Sequence, residues 1–475
     1  MNRVTAFVGL VLFLVPVPVR NHQGSDPAFE RLAALVTDKM NEHQVPGVSF
    51  AILRDGVITS RGFGVTNVDH PLPVTDRTLF QIGSVSKTFT GTAIMRLVEQ
   101  GKVRLDAPVR TYIPGFTVRD AIASRDVTVL DLLTHMGGWE GDVFDDTGEG
   151  VDAVALYVAN LKNVEQVAPL RTVWSYNNSG FIVAARIIEV VTGKPYDVAL
   201  RDLVITPLAL KDTHTMPTDV MTLRFAVGHI GGSIGPQVAR PWPIGRYLHA
   251  AGGVISTPRD LLTYARFHLG DGSPLLSSET LRRMHASVLT KHGTDEEMAV
   301  TWNVTNSGGV RRVSHGGGTL GQQSSLMLIP DHRFAVAVVM NGGGNLGQDL
   351  VRAALKEYLG VDSPDPLPSS LQPELSAYVG RYSRPFADVV ISAENEAMLV
   401  QVIRKSAGPG GGAATGPRVP HAFFAKDNAI ATVVKSGPQS GARIQFVRDS
   451  NGEVAWVRVG NRIAKKTAVS PSPLR

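Results

Sequence analysis

The sequence predicts an α+β fold: an antiparallel sheet with a helical subdomain, followed by a small C-terminal β-barrel or sandwich. Three observations predict it. Residues 48–53 and 57–64 are strand-like runs flanking Asp55-Gly56, a strong two-residue hairpin signal. Far downstream, residues 325–329 and 334–340 are apolar runs of strand length joined by Pro330-Asp331-His332-Arg333. The middle third between them reads mainly as helix. Strands at both ends with helices between make one sheet drawn from distant parts of the chain.

The elements follow in order. Asp26-Pro27 suits the cap and first turn of a helix that carries Phe29, Leu32, Val36 and Met40 on one face. After the hairpin, Phe80 and Ile82 read as extended chain. Beyond Gly83-Ser84-Val85-Ser86-Lys87, the residues Phe89, Ala93, Ile94, Leu97 and Val98 recur at helical spacing as far as Gly101. Thr128-Val129-Leu130-Asp131 and Thr257-Pro258-Arg259-Asp260 are N-terminal caps, the second with proline at its first helical position. Extended chain returns and ends at His315, before Gly316, Gly317 and Gly318, and a helix over residues 350–359 closes the main domain, residues 25–362. A proline-rich, stiff linker occupies 363–372. Short apolar stretches at 389–391, 398–403, 430–434, 444–447 and 454–459 then predict the β-rich domain, residues 373–475, with a glycine- and alanine-rich loop at 408–416. No chemistry is evident in that domain.

Composition narrows the function. At 475 residues with 43% apolar content the chain can bury a large core, and its net charge of +5 is spread without a Lys/Arg block of the kind that binds nucleic acid. There are no cysteines, which excludes disulfides, thiolate nucleophiles and Cys-ligated metals. None of the 13 histidines is paired with acids at zinc-ligand spacing, so neither a metal nor a cofactor is expected. Arg3 precedes an apolar run over residues 6–19, shorter than the roughly 20 residues a spanning helix needs. Residues 1–24 therefore read as a signal peptide or an uncleaved anchor. An exported protein is expected, with any membrane association confined to that segment.

Ser84 and Lys87 carry the chemistry. Three residues apart at a helix start, they share a face, so the amine can reach the hydroxyl. Unpaired backbone N–H groups and the positive end of the helix dipole lie beside them. A nucleophile, a base and a place for developing negative charge can thus share one turn. Downstream come Tyr176-Asn177-Asn178 and His315-Gly316-Gly317, in that order and well separated.

In these motifs the chain resembles the serine β-lactamase and penicillin-binding-protein superfamily, whose triplet is S-x-x-K, then Y-x-N or S-x-N, then K-T-G or H-x-G. It is most similar to the class C-like branch of esterases, D-aminopeptidases and carboxypeptidases. Two further stretches share the resemblance, Leu132-Leu133-Thr134-His135-Met136-Gly137-Gly138 and Ala251-Gly252-Gly253-Val254-Ile255-Ser256-Thr257, so that it runs from about Val45 to about Asn341. It implies a β-lactamase/transpeptidase-like sheet and, in some members, a lipocalin-like C-terminal domain. It also implies a Ser84 acyl-enzyme in which Tyr176 is the base with Lys87 beside it, although the sequence leaves open which of the two takes the Ser84 proton. Asn178 would hydrogen-bond Lys87 and a substrate amide oxygen. The backbone N–H groups of Ser84 and Gly318 would form the oxyanion hole, and Gly316 and Gly317 would line the substrate. His135 reads as a stabiliser of the loop after a helix.

The chain departs from true β-lactamases, which carry lysine and threonine where it has His315 and Gly316. An imidazole is mostly neutral at pH 7, and glycine supplies no hydroxyl. The expected substrates are therefore small molecules or peptides with an ester, amide or peptide bond. The alternatives are a true β-lactamase, a D,D-carboxypeptidase, or a slowly turning over penicillin-binding sensor. A remote alternative comes from residues 316–321 and 342–347, which each fit G-x-G-x-x-G, formally a dinucleotide fingerprint.

Overall fold

A computed structural model describes residues 26–232, 235–291, 294–364, 366–371, 373–405, 413–432 and 442–467. The expected signal or anchor segment, most of the 408–416 loop and residues 433–434 lie outside them. Among the described residues, no helix is long and apolar enough to cross a membrane.

The first helix, α1 (Pro27–His43), starts where Asp26 caps it, the Asp26 carboxylate accepting from the Ala28 and Phe29 amides at 3.0 and 3.3 Å. Strands β1 (Gly47–Arg54) and β2 (Val57–Gly64) pair through the Asp55-Gly56 turn, both turn residues having positive φ as a tight hairpin requires. Helix α2 is Ser86–Glu99, α3 is Val129–Leu133 behind the Thr128 capping box, α4 is Asn178–Thr192, and α5 is Pro258–His268 with Thr257 as its cap. The sheet is completed by β3 (Leu289–Thr290), β4 (Glu297–Met298), β5 (Asn303–Ser307), β6 (Val310–Thr319), β7 (Gln322–Ile329) and β8 (Phe334–Met340). Its order is β2-β1-β8-β7-β6-β5-β4-β3, so the first hairpin sits against the last strand, as expected. The closing helix, α6 (Leu346–Leu359), begins four residues earlier than the sequence predicts.

Both faces of the central strands are covered. Phe50, Ile52, Val336 and Val338 pack with Phe29, Val36 and Leu350 of the terminal helices. The alternate residues Ala51, Leu53, Ala337 and Val339 pack on the opposite face with Phe89, Ile94 and Leu261. Period-two alternation thus serves two cores, which is why β8 is apolar at every position. Because β8 pairs antiparallel with β1 and with β7, the dinucleotide reading of residues 342–347 fails: it requires a parallel βαβ crossover.

The C-terminal strands close into a ring of eight: Gly380–Arg384, Ala387–Glu394, Ala397–Arg404, Val419–Ala425, Asn428–Ala431, Arg443–Arg448, Val454–Val459 and Arg462–Lys466. The predicted barrel is therefore present. Three of its strands, at 380–384, 419–425 and 462–466, fall outside the stretches the sequence predicts. Tyr378, Tyr382, Met398, Phe423 and Phe446 fill its interior.

Buried histidines set the acid response of this fold. Burial pushes His249 and His285 down to about 4 and His315 down to about 3. An unfolded histidine titrates near 6.5, so as pH falls from about 6.5 toward 4 the unfolded chain takes up protons that the native state refuses. Stability is expected to fall across that window by about 2 kcal/mol for each such histidine between pH 7.5 and 5. Urea midpoints at the two pH values check this; an equal or higher midpoint at pH 5 would contradict it.

Candidate active site

Ser84 lies in a 3₁₀ turn, Gly83–Val85, that leads directly into α2. The turn is pinned from two sides. The Ile82 amide donates to the Val254 carbonyl at 3.0 Å, and the Ser324 hydroxyl of β7 donates to the Ile82 carbonyl at 2.6 Å. Glycine is needed here because β6 runs hard against it. A Cβ at Gly317 would stand 1.9 Å from the Ile82 carbonyl oxygen, and one at Gly83 would stand 2.4 Å from the Gly318 nitrogen. The same contact sets Gly317 and Gly318 of β6 directly against the Ser84 turn.

His315 does not end its strand, as its position before three glycines suggests. It lies inside β6, which continues through Gly316, Gly317 and Gly318 to Thr319. On one side β6 pairs with β7 along this whole stretch, whereas β5 accompanies it only over residues 310–314. Gly316 and Gly318 are exposed, so a strand edge opens beside the half-buried Ser84.

Lys87 is fully buried, with its Nζ 3.2 Å from Ser84 Oγ and donating to the Ala251 carbonyl at 2.6 Å. The amine lies 4.9 Å from the centroid of the Tyr176 ring. Burial, reinforced by the Arg462 cation and opposed by Asp142, holds its pKa well below the ordinary lysine value. Burial moves the Tyr176 phenol the other way, against the smaller pull of Ser84 and Arg462. Its hydroxyl lies near Ser84 without closing a hydrogen bond of ordinary geometry. Burial thus disfavours the charged forms of both the amine and the phenol that flank the nucleophile.

His135 supports this arrangement from below. In left-handed backbone conformation (φ 62°), it stacks on Tyr176 at 4.4 Å between ring centroids, and its Nδ1 accepts from the Asn177 amide at 2.9 Å. The His315 Nδ1 is 2.6 Å from the Gly316 carbonyl, which fixes it as the protonated nitrogen.

Asn178 departs from its expected partner. Its Nδ2 donates to Asp142 Oδ1 at 2.8 Å, while Lys87 bonds Ser84 and Ala251 instead. Asp142 in turn receives Arg462, with Nε at 2.9 Å from Oδ2 and Nη2 at 3.0 Å from Oδ1. Arg384 reaches Asp142 at 3.3 Å and Glu140 at 3.5 Å. Both arginines belong to the barrel, which therefore reaches the residues beside Tyr176 and Asn178. Burial alone would raise Asp142, but Arg462 and Arg384 more than offset it and hold it below the ordinary carboxylate range. The only sequence signal for this contact is Gly460-Asn461, a hairpin turn between two strands of the barrel. The Asn461 carbonyl accepts from the Tyr176 amide at 2.9 Å.

Comparisons with known proteins agree on the family. The sequence model of the Beta-lactamase family matches residues 32–359. The chain is 35% identical to penicillin-binding protein 4 of Amycolatopsis lactamdurans over 371 residues, 75% of this chain and 96% of that one. Among solved structures, SurE superposes with a TM-score of 0.74 at 22% identity, covering 94% of this chain and all of the other. A D-amino acid amidase from Ochrobactrum anthropi superposes with a TM-score of 0.61 at 22% identity over 70% of this chain and 99% of its own.

Proposed function

Since the chain belongs to the beta-lactamase family, we propose that it hydrolyses an ester, amide or peptide bond through an acyl-enzyme on Ser84. The observation that carries this reading is the fully buried Lys87 amine, its pKa held well below the ordinary lysine value, 3.2 Å from Oγ of the half-buried Ser84. In the acylation step Lys87 takes the Ser84 proton as Oγ attacks the carbonyl carbon. The tetrahedral oxyanion receives the amides of Ser84 and Gly318. Donors of this kind are each worth about 2.7–4 kcal/mol in the transition state. Tyr176, protonated and close to Ser84, gives its proton to the leaving amine or alkoxide and recovers one from Lys87. Water then attacks the acyl carbon by the reverse relay.

The residues around the site favour substrates without a free carboxylate next to the scissile bond. His315 is neutral, with its pKa pushed down to about 3, and the Arg462 and Arg384 cations are already paired with Asp142 and Glu140. The open β6 edge suits an extended peptide or amide, and the fold shared with a D-amino acid amidase supports acyl groups of D-configuration. Nitrophenyl esters and D-aminoacyl anilides are expected to give a higher kcat/KM than a chromogenic cephalosporin on purified protein. Preferential hydrolysis of the cephalosporin would replace this reading with that of a β-lactamase.

A further inference from the structure

A barrel whose interior is filled by its own aromatic side chains has no evident ligand to hold. Its outer surface, however, inserts a hairpin tip into the main domain. The two-residue turn Gly460-Asn461 has positive φ at both positions, and Val459 pairs with Arg462 across it. The tip meets the main domain next to the catalytic tyrosine: the Tyr176 amide donates to the Asn461 carbonyl, and the Ile463 amide donates to Ser175 Oγ at 3.3 Å. Trp456 and Arg458, on the preceding strand, anchor it. Trp456 Nε1 donates to the Val167 carbonyl at 3.2 Å, and Arg458 Nη2 donates to the Trp174 carbonyl at 3.1 Å.

Arg462 is the residue this docking delivers. Its Nε and Nη2 grip both oxygens of Asp142, its Nη1 donates to the Gly460 carbonyl at 3.0 Å, and its Cζ lies 4.7 Å from the centroid of the Tyr176 ring. A bidentate fork fixes a carboxylate in plane as well as in place. The fixed Asp142 Oδ1 then accepts from Asn178 Nδ2 at 2.8 Å, which holds the Asn178 amide in one orientation. From these contacts we propose that Arg462 is a positioning residue, through which the C-terminal barrel holds Asp142, Asn178 and Tyr176 in the arrangement that Ser84 acylation requires. The proposal rests on the reading of Ser84 as the nucleophile. It makes the main domain incomplete as a catalyst without its appendage, although nucleophile, lysine and tyrosine all lie within it.

The arrangement has an electrostatic signature that packing alone would not produce. Lys87 faces Tyr176 and the neutral His135 and His315, with Lys291 farther off. Arg462 with Asp142, and behind them Arg384 with Glu140, form the charged side of its surroundings. The Arg462 cation pulls the Lys87 pKa down and the Asp142 carboxylate pulls it up. Removing one or the other should therefore move the acid limb of acylation in opposite directions.

The test is the rate at which a fluorophosphonate probe labels Ser84 in the full chain, measured from pH 5 to 9 and located by mass spectrometry. Arg462→Gln is expected to label at least about tenfold more slowly at the plateau, with its acid limb moved to higher pH. Asp142→Asn is expected to move the limb to lower pH. Arg462→Lys, which keeps the charge and loses the fork, is expected to keep the wild-type limb at a reduced rate; it and Asp142→Asn carry the test if Arg462→Gln does not fold. Wild-type rates and limbs in these variants, or shifts of the same sign in Arg462→Gln and Asp142→Asn, would overturn the positioning role and leave the Ser84 reading standing. Absence of label at Ser84 in the wild type would overturn both.

Discussion

Ser84→Ala is expected to lower turnover by roughly 10⁶-fold, the size of effect that follows loss of the nucleophile in a serine hydrolase. It should also abolish labelling by a fluorophosphonate. The size of the effect follows from the site. The half-buried hydroxyl has an amine 3.2 Å away, and Gly317 and Gly318 of β6 are packed against its turn. The backbone amides of Ser84 and Gly318 survive the substitution, so substrate binding should persist while the covalent step disappears. The fold should survive as well. The pins on the nucleophile turn come from Ile82, Val254 and Ser324, none of which uses the Ser84 side chain. A thermal midpoint within a few degrees of wild type, together with lost turnover, is the expected pair. Retained turnover, or label on another residue of the intact variant, would remove Ser84 from its role.

The elements that sequence made legible are those whose determinants lie close together in the chain. Asp55-Gly56 specifies its hairpin within two residues, and Asp26, Thr128 and Thr257 each cap a helix from three residues or fewer away. Ser84 and Lys87 are legible for the same reason: one helical turn brings them together. The motif triplet then linked Tyr176 and His315 to them, and in the structure the Lys87 amine lies beside both Ser84 and the Tyr176 ring, which is 6.4 Å from the His315 ring.

What escaped the sequence depends on distance and burial. The Arg462–Asp142 contact spans 320 residues, and nothing local to either residue announces it. The partner of Asn178 was missed because Asp142 becomes its neighbour only in the folded chain. His315 was read as a strand end because glycines usually interrupt strands. Here they continue β6, since the space a side chain would need at Gly317 is taken by the Ile82 carbonyl. The partners of the two framework stretches were hidden as well. Ala251 offers the carbonyl that holds the Lys87 amine, and His135 lies beneath Tyr176.

The family resemblance implies Tyr176 as the base while leaving the Ser84 proton open between it and Lys87; burial favours Lys87 for that role. Free lysine and tyrosine side chains titrate within about half a unit of each other, so composition cannot rank them. In the fold, desolvation drives them apart: the Lys87 amine is favoured in its neutral, proton-accepting form and the Tyr176 phenol in its neutral, proton-donating form. Lys87→Met is therefore expected to slow Ser84 acylation by roughly 10²- to 10⁴-fold. It should also erase the acid limb of kcat/KM, because the group whose deprotonation produces that limb is gone. The sign is fixed by the chemistry. Activity requires the unprotonated amine, so in the wild type kcat/KM rises with pH through the depressed Lys87 pKa and levels above it. Methionine has nearly the length of the lysine stem and needs no charge compensation in a fully buried slot. The Ala251 carbonyl loses its donor, at a cost of about 1–3 kcal/mol, and the relief of burying an amine offsets it. Thermal stability close to wild type with a rate thousands of times lower would separate catalysis from folding. Tyr176→Phe supplies the contrast: it should also be slow, yet keep the acid limb, because the amine that titrates is still present. Should Tyr176→Phe lose the limb and Lys87→Met keep it, the phenol would be the base and the two roles would exchange.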